Sequence, residues 1–212
     1  MAYIYNYNSN TLISGSNGDD SIQNGGRDIS WNTNSAGDNV TILAGAGNDT
    51  INNDCLLGGR NTSINGGDGN DLIYSQFGDK ITILGGDGDD YIYNNQTNNL
   101  IIDVGDSKDS ILNEIGIENN ATITGGNGYD LFWFFYFGNA SVSAHYITDY
   151  NENDTIKFSY SNFALSSITT DGSGDVIFTL GDNKVVLKNA ADKFITYIDN
   201  DGSKKTFGEK KT

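Results

Sequence analysis

Seven aspartates share one frame in this sequence: Asp20, Asp49, Asp71, Asp90, Asp109, Asp130 and Asp154. An isoleucine precedes each by seven residues: Ile13, Ile42, Ile64, Ile83, Ile102, Ile123 and Ile147. An apolar residue follows each by two: Ile22, Ile51, Ile73, Ile92, Ile111, Phe132 and Ile156. The clearer copies are Gly-rich before the Asp, as in Gly15-Ser16-Asn17-Gly18-Asp19, Gly45-Ala46-Gly47-Asn48, Gly66-Gly67-Asp68-Gly69-Asn70, Gly85-Gly86-Asp87-Gly88-Asp89 and Gly125-Gly126-Asn127-Gly128-Tyr129. Turns of this kind present carboxylates and backbone carbonyls together. Calcium takes about six to eight such oxygens in flexible geometry. Stacked roughly one strand spacing apart, about 4.8 Å, the carboxylates repel one another. A divalent cation between successive turns converts that repulsion into ligation. The short arm of Asp, against Glu, holds the carboxylate near the turn carbonyls. The alternative is a set of solvated Asp-Gly turns without metal.

The elements that position these turns follow from the flanking residues. Short β-branched runs such as Val40-Thr41-Ile42, Ile81-Thr82-Ile83 and Ala121-Thr122-Ile123 read as strands. Each repeat is then a strand, a Gly turn, a second strand and a return turn. The two isoleucine sets point inward and stack in two ladders, because side chains alternate faces along a strand. The return turns, such as Gln76-Phe77-Gly78-Asp79-Lys80 or Asn94-Asn95-Gln96-Thr97-Asn98-Asn99, are polar and lack the Gly-x-Gly-x-Asp pattern. One edge of the coil is therefore regular and the other irregular. Stacked parallel strands also account for the absence of proline, which removes a ladder donor. The longer gap from Ile22 to Ile42 contains Trp31 and leaves room for an extra degenerate coil or a surface loop. The fold class expected is all-β, a parallel β-roll (β-solenoid) over residues 1–156 with a small β-rich C-terminal cap over residues 157–212.

The pattern Gly-Gly-x-Gly-x-Asp-x-(apolar)-x resembles the nonapeptide repeat of the RTX calcium-binding family. The match is direct at Gly66–Tyr74 and Gly85–Tyr93, and close at Gly15–Gln23, Gly45–Asn52 and Gly125–Trp133. It weakens at Gly105-Asp106-Ser107-Lys108-Asp109, and Asn151-Glu152-Asn153-Asp154 has no glycine. The resemblance covers roughly residues 11–156. It implies a right-handed roll with several Ca²⁺ ions, each held between adjacent turns by Asp side chains and loop carbonyls. Mapped onto this chain, the ligands implied are Asp20, Asp49, Asp71, Asp90, Asp109 and Asp130 at the turn ends. Asn17, Asp68, Asp87, Asp106 and Asn127 fall at the third loop position, Asn48 and Asp89 just before the Asp, and Gly47, Gly69 and Gly88 between. Ions are expected on one edge only, because the return turns lack the motif.

Composition narrows the remaining choices. The chain has 212 residues, 27 Gly, no Pro, 28 acids against 12 bases and a net charge of -16. Phosphate binding needs a basic surface, so nucleic acid is excluded as a partner. No apolar run is long enough to insert in a membrane as a helix, and no polybasic anchor is present. One Cys permits no internal disulfide, and no Cys/His cluster offers a zinc site. The glycines lack the three-residue period of collagen, and 36% hydrophobic residues are too many for a solvated tail. Residues 1–156 hold 21 acids and 4 bases, whereas residues 157–212 hold 7 and 8, so the acid excess ends where the repeat ends. Beyond that point, Asp175–Leu180 and Lys184–Leu187 read as a hairpin around Gly181-Asp182-Asn183, and Asp199–Gly202 as a second hairpin turn. A helical turn near Ala190–Phe194 is a further expectation. The apolar run 131–137 offers one face to the ladder, and the other is expected to pack under the C-terminal strands.

Other candidates carry less. His145 is the single histidine and is read as structural, and Cys55, beside Leu56 and Leu57, as a partly buried small apolar residue. No separate carboxylate pair marks an active site, so no enzyme activity is expected. Tyr3, Tyr5 and Tyr7 alternate on one strand face, and Tyr74, Tyr91 and Tyr93 lie on adjacent coils. Such a stripe can stack on glycans or form cross-strand pairs that stabilise the sheet. The expectation is a non-enzymatic calcium-binding structural module of a secreted or surface bacterial protein, folding on Ca²⁺ binding. A carbohydrate-binding adhesin module or the accessory roll of a secreted enzyme are the alternatives. The start of the chain has no secretory signal pattern, which fits the type I export that the resemblance implies. The N-terminal coil is expected to stack on another subunit or domain.

Overall fold

The computed structural model describes all residues except 28–32, 35, 56–58, 116–119, 137–141, 161–163 and 210–212. The described residues form strands and turns, with no helix. The strands in chain order are β1 (Tyr3–Asn6), β2 (Leu12–Ser14), β3 (Ser21–Arg27), β4 (Thr33–Asn34), β5 (Thr41–Ala46), β6 (Thr50–Asp54) and β7 (Ser63–Asp68). Next come β8 (Leu72–Gln76), β9 (Thr82–Asp87), β10 (Tyr91–Asn95), β11 (Leu100–Asp103), β12 (Ser110–Ile115), β13 (Ala121–Thr124) and β14 (Leu131–Tyr136). The last are β15 (Ala144–Ile147), β16 (Thr155–Tyr160), β17 (Leu165–Thr170), β18 (Val176–Leu180), β19 (Asn183–Leu187), β20 (Ile195–Ile198) and β21 (Lys204–Phe207).

These strands make a parallel β-solenoid of about six turns. One sheet runs β1-β3-β6-β8-β10-β12-β14-β16-β20-β21, and the other runs β17-β18-β19-β15-β13-β11-β9-β7-β5-β2. Each turn of chain gives one strand to each sheet. The expected ladders are present in register. Ile13, Ile42, Ile64, Ile83, Ile102, Ile123 and Ile147 pair in succession along one sheet. Ile22, Ile51, Ile73, Ile92, Ile111, Phe132 and Ile156 do so along the other. All fourteen are buried. A one-residue slip would turn every one of them to solvent, so the apolar period fixes the register.

The glycine turns allow the coils to close at this spacing. Gly67 has φ 111°, and a Cβ there would stand 1.8 Å from the carbonyl oxygen of Gly45 on the preceding coil. Gly86 repeats the arrangement one coil later, 2.0 Å from the Gly67 oxygen. The return edge uses a different device. Asn10, Asn39, Asn61, Lys80 and Asn99 all have φ of 51–57°, each three residues before its ladder isoleucine. Asn tolerates this left-handed conformation better than most residues. Asn39 Nδ2 donates to Asn10 Oδ1 and Asn61 Nδ2 to Asn39 Oδ1, tying the return turns together.

Stacking continues beyond Ile156. Strand β19 pairs in parallel with β15, and β20 with β16; antiparallel β18 then follows β19, and β17 and β21 occupy the sheet edges. Both expected hairpins are present. The segment near Ala190–Phe194 is a single turn, with Lys193 N donating to Ala190 O, because Asn189 enters it at positive φ and Ile195 leaves it as strand. The aromatic run differs from expectation in one respect. Its inward face, Phe134, stacks on Phe158, which meets Phe178, which meets Tyr197, so the core becomes aromatic towards the C-terminal strands. Its outward face is not beneath those strands. Trp133 is instead covered by a neighbour in its own sheet, with Lys157 Nζ 3.4 Å from the ring centroid and Ser159 Oγ accepting from Nε1. Phe137, Trp31, Leu56 and Leu57 lie outside the described residues.

Candidate functional site

The regular edge is built from three columns of loop residues. The innermost holds the turn-end aspartates, all at most 2% exposed. Each uses one carboxylate oxygen to bind the coil before it. Asp20 N donates to Asp49 Oδ1 at 2.6 Å, Asp49 N to Asp71 Oδ1 at 2.7 Å and Asp71 N to Asp90 Oδ1 at 2.8 Å. Asp90 N donates to Asp109 Oδ1 at 2.7 Å, Asp109 N to Asp130 Oδ1 at 2.9 Å and Asp130 N to Asp154 Oδ1 at 3.2 Å. The Asp one residue past the turn is thus the link between successive coils.

The second oxygen separates the middle of the column from its ends. Asp20 Oδ2 accepts from Ser16 N and Oγ at 2.6 and 2.8 Å, while its Oδ1 accepts from Ala2 N at 2.5 Å. Asp154 Oδ2 accepts from Asn151 N at 2.8 Å. In contrast, Oδ2 of Asp49, Asp71, Asp90, Asp109 and Asp130 is buried with no hydrogen-bond partner. A buried carboxylate oxygen left so is costly, and it is suited to a ligand that brings positive charge. Backbone oxygens lie alongside. A Cβ on Gly66 would stand 2.2 Å from Asp71 Oδ2 and 2.6 Å from Gly85 O, and one on Gly85 would stand 2.3 Å from Asp90 Oδ2 and 2.6 Å from Val104 O. In these two turns the first glycine therefore keeps open the space shared by an orphaned carboxylate oxygen and a carbonyl of the next coil, whereas the same position before Asp49 and Asp109 is held by Ala44 and Val104.

Burial governs the electrostatics of this column. It pushes the carboxyl of Asp71 up to about 6 and those of Asp90, Asp109 and Asp130 up to about 7, with neighbouring aspartates adding to the rise. Asp49 and Asp154 are raised by the same cause. Asp20 is lowered, held by the hydrogen bond from the Ala2 amide.

The outer columns are exposed. Asn48, Asn70 and Asp89 form a second ladder, with Asn70 N donating to Asn48 Oδ1 and Asp89 N to Asn70 Oδ1. Lys108 N continues it onto Asp89 Oδ1, so the loss of glycine in that turn does not interrupt stacking. At the third loop position Asp68 and Asp87 stand in register, and Asn127 bonds Asp106 Oδ1 through both nitrogens. Asn17 is exposed at the same position of the first turn. Gly47, Gly69 and Gly88 all have φ near 120°, and a Cβ on Gly69 would stand 2.1 Å from Gly47 O. Among the described residues no three His, Cys, Asp or Glu side chains converge as a metal cluster. A cation on this edge must take part of its shell from backbone carbonyls.

Sequence reasoning missed two features. Asp149 accepts from Gly125 N and Gly126 N, making it the partner of the last glycine turn. A polar column also runs inside the roll: Asn6, Asn24, Asn53, Ser75, Asn94 and Asn113, all buried. Its signal was an Asn or Ser four positions after Asp20, Asp49, Asp71, Asp90 and Asp109, a position taken by Phe134 and Phe158 after Asp130 and Asp154. His145, fully buried, joins this column, and burial pushes its imidazole down to about 3, so it is neutral. Cys55 is 1% exposed, more deeply buried than expected, and its thiol is pushed up to about 12 by that burial. Tyr74 and Tyr93 meet edge to face with centroids 5.8 Å apart, and Tyr93 Oη donates to Glu114 Oε2. This is a cross-strand aromatic pair, and the two rings share no common plane. No protein-family model matches the chain, and no curated protein matches it.

Proposed function

We propose that the chain is a calcium-binding structural β-roll of the RTX type, whose ions bind along the glycine-turn edge and drive its folding outside the cell. The orphaned Oδ2 oxygens of Asp49, Asp71, Asp90, Asp109 and Asp130 carry this reading. Five buried carboxylates in one column resist ionisation in water-poor surroundings, and a hard divalent cation removes that penalty while using turn carbonyls for the rest of its shell. Such a site is incomplete in the unfolded chain, so ion binding contributes directly to folding free energy. Extracellular calcium sites work at roughly 0.1–1 mM, which suits a chain that stays expanded before export and folds after it. Asp20 and Asp154, whose oxygens are all occupied, terminate the ion row rather than extend it.

Ion counting tests this. Native mass spectrometry of the chain in calcium shows several bound ions, and Asp71→Ala loses at least one, whereas Asp20→Asn keeps the full number. A calcium-free spectrum at millimolar calcium sinks the proposal.

A further inference from the structure

The polar column inside the roll is a one-way hydrogen-bond chain with a single gap. Asn6 Nδ2 donates to Asn24 Oδ1 at 2.8 Å, and Asn24 Nδ2 to Asn53 Oδ1 at 2.7 Å. Further along, Asn94 Nδ2 donates to Asn113 Oδ1 at 2.7 Å, and Asn113 Nδ2 lies 3.1 Å from His145 Nδ1. An amide nitrogen only donates, so Nδ1 accepts and the neutral imidazole carries its proton on Nε2. Nε2 faces Ser143 Oγ at 3.3 Å, and Ser143 Oγ donates to Asn183 Oδ1 at 2.8 Å. Every donation between coils runs from the N-terminal side towards the C-terminal side.

The gap falls at Ser75. This residue is in register between Asn53 and Asn94. Its side chain lacks the carboxamide that would continue the chain. Three buried atoms in succession have no oxygen or nitrogen partner: Asn53 Nδ2, a donor that otherwise meets the weakly accepting Cys55 thiol; Ser75 Oγ, which can do either; and Asn94 Oδ1, an acceptor. We propose that an ordered water molecule is bound in the core at Ser75, accepting from Asn53 Nδ2 and donating to Asn94 Oδ1, with Ser75 Oγ as its third partner. Replacing a carboxamide by a hydroxyl frees on the order of 30 Å³, about the share of one water in the liquid, and buried waters make about three hydrogen bonds. The polarity is selective: a donor on one side and an acceptor on the other fit water, whereas a metal ion finds no second acceptor from Asn53. The bound water makes the amide chain continuous from Asn6 to Asn183 and links the core of the first coils to that of the last. This inference is independent of calcium on the turn edge.

A high-resolution crystal structure of the full chain, paired with that of Ser75→Asn, tests it. The wild-type map shows one water within hydrogen-bonding distance of Asn53 Nδ2 and Asn94 Oδ1. In Ser75→Asn the new carboxamide takes its place with both ladder bonds restored, and the variant melts at a higher temperature. In solution, the wild-type Asn53 side-chain amide protons show cross-relaxation with a long-lived water, and His145 shows a protonated Nε2. Should Ser75→Asn fail to fold, the wild-type map and the water cross-relaxation decide alone. A wild-type map in which Asn53 and Asn94 close on each other, or in which the peak has metal-like contacts of about 2.3–2.6 Å, overturns the proposal.

Discussion

At the residue scale, the difference between Asp71 and Asp20 carries the chemistry. Both end a glycine turn and both are buried, yet Asp20 has a donor on each oxygen, the Ala2 amide on Oδ1 and the Ser16 amide and hydroxyl on Oδ2, while Asp71 Oδ2 has none. Asp71→Asn replaces one candidate ligand oxygen and keeps the size. It should raise the calcium concentration for half-folding at least about tenfold, equivalent to ~1.4 kcal/mol, whereas Asp20→Asn should move it by far less. Circular dichroism titrations of the two variants check this, and equal shifts contradict the assignment. The raised carboxyls also set a pH dependence. Asp90, Asp109 and Asp130 bind protons up to about pH 7 when folded, but only near 3.8 when unfolded. Between those values the folded metal-free chain holds more protons than the unfolded one, so its stability falls as pH rises. In chelator the chain should therefore melt higher at pH 5 than at pH 8. In calcium the ion competes with these protons, and the stabilisation it adds should grow from pH 5 to pH 8. Melting curves in the four conditions test both signs.

At the scale of the element, the turn glycines are steric requirements. Gly67→Ala places a Cβ against the Gly45 carbonyl and holds a non-glycine residue at φ 111°. A strained backbone of this kind costs about 1–3 kcal/mol, or roughly 2–12 °C in melting temperature for a chain of this size. Gly172→Ala, where nothing lies within 4 Å, should change melting by less than about 2 °C. Differential scanning calorimetry of the pair measures both. Much of this was legible in the sequence. The isoleucine positions relative to each Asp determined strand register and both ladders, because a period-2 pattern with one buried face admits a single alignment. The Asp column was legible for the same reason. What it did not reveal was which oxygens would be satisfied, since that depends on Ser16 and Asn151 folding back and on the Ala2 amide reaching Asp20. The interior asparagines were overlooked because a polar residue at a strand position reads as outward-facing, although Asn24, Asn53, Asn94 and Asn113 bury themselves by bonding to one another or to their neighbours in the column. The outward face of the aromatic run was misjudged because Trp133 finds its cover in Lys157, one strand away.

At the scale of the whole molecule, the two ends of the solenoid differ. The N-terminal coil leaves β1 and β2 as sheet edges, with Tyr3, Tyr5 and Leu12 about two-thirds exposed. The C-terminal end is closed by antiparallel strands on both sheets and by the aromatic sequence Phe134, Phe158, Phe178 and Tyr197. Phe178 is fully buried at its centre. Phe178→Ala should destabilise the folded state by about 3–5 kcal/mol, read by urea denaturation, because it opens a cavity where the last coils join. The charge distribution of the chain points to the opposite influence on stability. A net charge of -16, concentrated before residue 157, opposes compaction unless cations offset it. Circular dichroism with thermal melting, in about 5 mM calcium and again in excess chelator, tests this account most directly. A cooperative β-sheet spectrum is expected in calcium, with the chelated chain expanded or melting more than about 10 °C lower. An unchanged spectrum and melting temperature in chelator at pH 7.5 would contradict it.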